Sequence, residues 1–91
     1  MTSENIGKFA LSLVGHDAGS YYVILGQENG KFLVTEGRLR PVDRPKTKNP
    51  KHLKICRGNV TQETLDLMTG RCGGADQAIR REISLYRKKE D

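Results

Sequence analysis

Residues 6–26 read IGKFALSLVGHDAGSYYVILG, and their pattern decides the fold. From Lys8 to Val14 the side chains alternate, with Phe9, Leu11 and Leu13 on one face and Ala10, Ser12 and Val14 on the other. A two-residue period is that of a strand. Gly15–His16–Asp17–Ala18–Gly19–Ser20 breaks the period and reads as a tight loop. Tyr21 to Leu25 is aromatic and β-branched, which suits a second strand. Gly15 and Gly19 let the loop turn sharply and approach another backbone or a phosphate closely. Asp17 is expected to accept hydrogen bonds from amides within the loop. By glycine spacing alone, an ordinary turn between two strands is the favoured reading.

Further along, Asn29–Gly30 favours a type I′ hairpin, followed by a strand from Phe32 to Thr35. Gly37 turns the chain, and Leu39 to Val42 reads as a short fourth strand that Pro41 places at an edge. His52 to Cys56 fits a fifth. Residues 1–5 are polar and read as a flexible N-terminus. Beyond residue 60 the period becomes helical. Thr61 can cap a helix carrying Leu65 and Met68 and ending at Gly70. Gly73–Gly74 is a hinge. Ala75 to Lys89 is a second helix, with Ala75, Ile79, Ile83 and Tyr86 along one face. Arg87, Lys88 and Lys89 occupy its last turn, where cations suit the helix dipole. Four or five short strands in so few residues suggest a small barrel, mostly β, followed by helices.

Charge is distributed unevenly. Residues 41–60 hold six bases, Arg44, Lys46, Lys48, Lys51, Lys54 and Arg57, against the single acid Asp43, which accounts for the whole net charge of +5. Residues 1–40 and 61–91 are each balanced. The run Arg44–Pro45–Lys46–Thr47–Lys48–Asn49–Pro50–Lys51–His52 has no apolar periodicity and reads as an extended, solvent-exposed basic strap. Concentrated positive charge addresses a polyanion, since each phosphate neutralised releases counterions. Arg38 and Arg40 lead into the strap. Arginine grips phosphate through two parallel hydrogen bonds, whereas lysine acts as a mobile point charge.

Residues 6–26 resemble a KOW motif, the short unit of several ribosomal proteins and of NusG-type elongation factors. Gly37–Arg38–Leu39–Arg40, Arg44–Pro45–Lys46 and Asn49–Pro50–Lys51–His52–Leu53 extend the resemblance to small bacterial KOW-domain proteins. Those proteins are similar to a large-subunit ribosomal protein of archaea and eukaryotes. The resemblance covers roughly residues 6–54 and implies an SH3-like β-barrel that binds RNA. On this reading the barrel spans 6–57, including the strap 41–57, and a helical extension spans 58–91. His16 stands where a basic loop residue is usual. The expected RNA contacts are Gly15, His16 and Gly19 in the loop and Arg38, Arg40, Arg44, Lys46, Lys48, Lys51, His52, Lys54 and Arg57 in and before the strap. The expected partner is ribosomal RNA or the large ribosomal subunit.

The remaining chemistry is sparse. Ninety-one residues make one small domain, too small for a sizeable enclosed catalytic cleft. No serine, cysteine or histidine has a partnered base at a recognisable spacing, so no enzymatic activity is expected. His52, Cys56 and Cys72 lack the paired close spacings of a closed zinc site, and no cofactor is expected. The apolar runs are too short to span a bilayer, and the first residues lack a signal-peptide pattern, so the expected location is the cytoplasm. Of the adjacent Tyr21 and Tyr22, one faces the core and the other is a candidate stacking platform. So few aromatics favour recognition of RNA backbone and folded shape. The apolar face of the second helix serves either to pack on the barrel or to dock a protein. A protein-interaction module in a transcription or translation complex is therefore the alternative function.

Overall fold

The computed structural model describes residues 5–38, 41–70 and 73–90. Five strands, β1 (Lys8–Ser12), β2 (Tyr21–Glu28), β3 (Lys31–Thr35), β4 (Lys46–Lys48) and β5 (Leu53–Asn59), form one antiparallel sheet in the order β4-β3-β2-β1-β5. Two helices follow, α1 (Gln62–Gly70) and α2 (Ala75–Glu90). The expected hairpin is present: Asn29 and Gly30 have φ of 52° and 78°, and Glu28 lies opposite Lys31.

The sheet is not a closed barrel, but it is strongly curled. β4 and β5 are its two edges, yet only Asn49 and one 3₁₀ turn (Pro50–His52) join them. Four interstrand gaps would set the edges of a flat sheet about 19 Å apart. A helical turn is far too short for that, so the sheet must bend to bring its edges together. Two irregularities accommodate the curl. The register shifts between Ile24 and Gly26 in β2, and between Lys8 and Ala10 where β1 meets β5. Such bulges bend a strand and increase its twist.

Curling gives the sheet two buried faces. Ala10, Tyr22, Ile24, Phe32, Val34 and Leu53 fill the inner one. The outer face contributes Phe9 and Val23, which pack with Val42, Val60, Met68, Ala75, Ile79 and Ile83. The alternation read in the sequence therefore sends Phe9 and Ala10 to different cores. Ala75, Ile79 and Ile83 of α2 are buried in the outer core, so this face is taken up by the sheet. Tyr86 completes the docking: its ring stacks on Phe9 at 4.3 Å and meets Tyr21 edge-on at 5.7 Å.

α1 is capped by Thr61, and α2 is tied to the loop after β3. Thr64 N donates to Thr61 Oγ1, as expected of an N-cap, and Glu82 of α2 accepts from Thr61 N at 2.9 Å and from its hydroxyl at 2.7 Å. Asp76, in the first turn of α2, accepts from Val42 N at 2.8 Å, and Arg80 donates to the Gly37 carbonyl. Gly37 lies so close to Asp76 O that a Cβ there would collide with it.

The structure corrects three expectations. The run Arg44–His52 is not an extended exposed segment: β4 and the 3₁₀ turn lie within it, and Lys48 is buried, while the expected fifth strand follows as β5. Its lysines look unpatterned because β4 is only three residues long, too short to show a period. Pro41 and Val42 are not in a strand, and Leu39 and Arg40 of the expected fourth strand lie outside the described residues. The closed barrel is replaced by an open, curled sheet, with β5 running on to Asn59.

Candidate nucleic-acid interface

The loop between β1 and β2 is compact. Gly19 N donates to Ser12 O at 2.8 Å and Ser12 N to Ser20 O at 2.9 Å, while Ala18 N and Ser20 N close turns on Gly15 and Asp17. Gly15 and Gly19 have φ of 89° and 90°, the left-handed region where a side chain is strained.

This turn aims Asp17 at side chains instead of the loop amides expected to hold it. Asp17 accepts from Tyr22 Oη at 2.6 Å, Ser12 Oγ at 2.9 Å, Lys46 Nζ at 3.0 Å and Lys48 Nζ at 3.1 Å. Lys48 also donates to Ser12 Oγ at 3.1 Å. Partial burial pushes the Asp17 carboxyl up, but hydrogen bonds from Tyr22, Lys46, Lys48 and Ser12 outweigh it and hold the group well below its ordinary range. The carboxylate thus stays ionised and locks β4 to the loop. Lys46 and Lys48 together bring one more positive charge than Asp17 cancels.

Beside this cluster runs an open groove of about 900 Å³. One side is built from the loop between β1 and β2 and from the turn after β3, through Asp17, Gly19, Ser20, Glu36 and Arg38, with Lys46 of β4. The other side is α2, through Arg80, Ser84, Arg87 and Lys88. Tyr21 and Tyr22 of β2 and Ile83 of α2 also line it. Among the described residues, five cations, Arg38, Lys46, Arg80, Arg87 and Lys88, line it with two acids, and Asp17 is already paired. Glu36 accepts from Arg38 N at 2.6 Å.

The expected contact residues divide into groups. Gly19, Arg38 and Lys46 line the groove, while Gly15 and His16 are exposed in the adjoining loop. Lys48 is turned inward to Asp17 and Ser12, and only 8% of it is exposed. Lys51, His52, Lys54 and Arg57 are exposed on the 3₁₀ turn and β5, and Arg44 is exposed before β4. Arg40 lies outside the described residues, as does Cys72. Cys56 is half-buried, and among the described residues no group of three or more His, Cys, Asp or Glu is placed to hold a metal ion. No helix among the described residues is long and apolar enough to cross a membrane.

Sequence reasoning missed Arg80, Arg87 and Lys88 as contact residues. Their spacing carried the signal, because positions 80, 84, 87 and 88 share one face of a helix. The charge balance of residues 61–91 concealed them. Acids elsewhere in that segment cancel these cations in the count, but Glu63, Asp66, Asp76 and Glu82 do not line the groove.

Compared with known proteins, the chain matches no protein-family model and no curated protein sequence.

Proposed function

We propose that this chain is a ribosome-associated RNA-binding protein whose open, curled sheet is a variant of the SH3-like fold of the KOW type. One observation carries the reading: cations from two distant parts of the chain, Arg38 and Lys46 on one side and Arg80, Arg87 and Lys88 on the other, converge on one groove. Such convergence raises the local potential and suits a chain of phosphates. The strand order, with its two edges joined through a single 3₁₀ turn, supports the SH3-like assignment. The residues quoted for the KOW resemblance support the ribosomal one. Lys51, Lys54 and Arg57 add exposed charge for a long RNA.

Two measurements test this. Affinity for ribosomal RNA fragments across a salt series should fall steeply, with a log–log slope of about −3.5 for single-stranded RNA if roughly five phosphates are neutralised. A flat response would remove the electrostatic argument. On a low-salt sucrose gradient the protein should travel with the large ribosomal subunit or its precursors and be released by high salt. Recovery only in soluble fractions, or with RNA polymerase, would move the function to a transcription or protein-adaptor complex.

A further inference from the structure

A groove that met phosphates alone would need no apolar floor. Here Tyr21 and Ile83 line the groove beside the cations, and Tyr21 is the half-buried ring among the aromatics that line it. Tyr22 is the core tyrosine, 4% exposed. Tyr21 is also braced: Tyr86 meets it edge-on, and Tyr86 is itself stacked on Phe9, which is 3% exposed. A ring held this way loses little freedom on binding and makes an effective stacking platform.

We infer that the groove receives single-stranded RNA, with one base laid against Tyr21 and its flanking phosphates held by Arg38 and Lys46 on one side and by Arg80 and Arg87 on the other. This deepens the RNA-binding reading and rests on it. In a duplex the bases are stacked on one another, and only phosphates and 2′-hydroxyls would reach the groove. The apolar floor would then stay in water. An unpaired base covers it and leaves its two phosphates at the cationic sides. Arg80 is pre-oriented for this, because its guanidinium already donates to the Gly37 carbonyl and keeps further N–H groups to offer.

The test varies the ligand before the protein. Full-length chain is titrated against a short pyrimidine RNA, an abasic strand of the same length that keeps every phosphate, and the duplex form of the same RNA. The pyrimidine strand should bind about tenfold tighter than the abasic one, the scale of one stacked base, and tighter than the duplex. Tyr21→Leu should bring the pyrimidine strand down to the abasic affinity and leave the abasic affinity unchanged, whereas Tyr21→Phe should retain the difference. Equal binding of pyrimidine and abasic strands, or tighter binding of the duplex, overturns the stacking site while RNA binding itself stands. Binding to none of the three overturns the RNA-binding reading as well. The ligand comparison holds even if Tyr21→Leu fails to fold.

Discussion

Lys48 Nζ lies 3.1 Å from Asp17 Oδ1, so a cation of the three-residue edge strand β4 is bound to the loop between β1 and β2. In the sheet, β3 and β2 separate β4 from β1. The contact therefore bridges the curl and helps to hold the open sheet in its bent form. It also divides the lysines of the basic segment. Lys48 is structural, Lys46 is shared between Asp17 and the groove, and Lys51 is exposed.

Lys48→Met should therefore destabilise the fold by about 1–3 kcal/mol, because Asp17 and Ser12 lose a buried charged donor. Lys51→Ala should stay within about 0.5 kcal/mol of the parent, as surface changes usually do. Urea denaturation compares the two. Equal midpoints for Lys48→Met and the parent would place the Lys48 ammonium in solvent instead of on Asp17.

Acid should weaken the same cluster. Asp17 is held below its ordinary value of 3.8, and Glu82, bound to Thr61, is held below 4.5. A carboxylate depressed by folding stabilises the native state above its unfolded pKa, and that contribution is lost as pH falls through 3.8 toward the lower folded value. The melting midpoint should drop between about pH 5 and about pH 2, and Asp17→Asn should start lower and decline less. Thermal melts across that range decide it. Parallel declines in parent and variant would mean that other carboxylates dominate.

What was legible in the sequence follows from the range of each signal. Residues 8–35 have strand alternation and the Asn29–Gly30 turn, both set by immediate neighbours, and the first three strands follow from them. The Thr61 cap and the apolar stripe of α2 are local in the same way. β4 is not legible because Lys46–Lys48 becomes a strand by pairing with Phe32, Leu33 and Val34, a distant contact with no local mark. Burial of Lys48 is hidden for the same reason: its partners Ser12 and Asp17 lie more than thirty residues earlier. The groove is hardest to read from sequence, since its two sides meet only once α2 has docked on β2.

That docking depends on the absence of a side chain at Gly58. A Cβ there would run into the Tyr86 ring and come within 3.2 Å of Phe9 Cδ2. Gly58→Val should cost about 1–3 kcal/mol, the usual range for overpacking. The cost should shrink in a Tyr86→Leu background, because neighbours in contact are not additive. A double-mutant cycle by denaturation measures this. Strict additivity would mean that Gly58 and Tyr86 do not share that space.

The last prediction separates the groove from the basic edge at residues 51–57. Arg38→Glu with Arg87→Glu reverses two exposed groove cations, and Lys51→Glu with Lys54→Glu reverses two exposed cations elsewhere. Both pairs change net charge equally, so a general attraction to RNA would weaken alike in the two variants. If the groove is the interface, the first pair should weaken binding to single-stranded RNA more. It should also reduce the magnitude of the log–log salt slope by roughly 0.7 for each phosphate that is no longer neutralised. The second pair should leave that slope close to the parent's. All four side chains are exposed, so both variants should melt near the parent. Anisotropy titrations at several salt concentrations provide the comparison. A larger effect from the Lys51 and Lys54 pair would place the RNA along β5 and its preceding turn, and leave the groove as a consequence of how α2 packs.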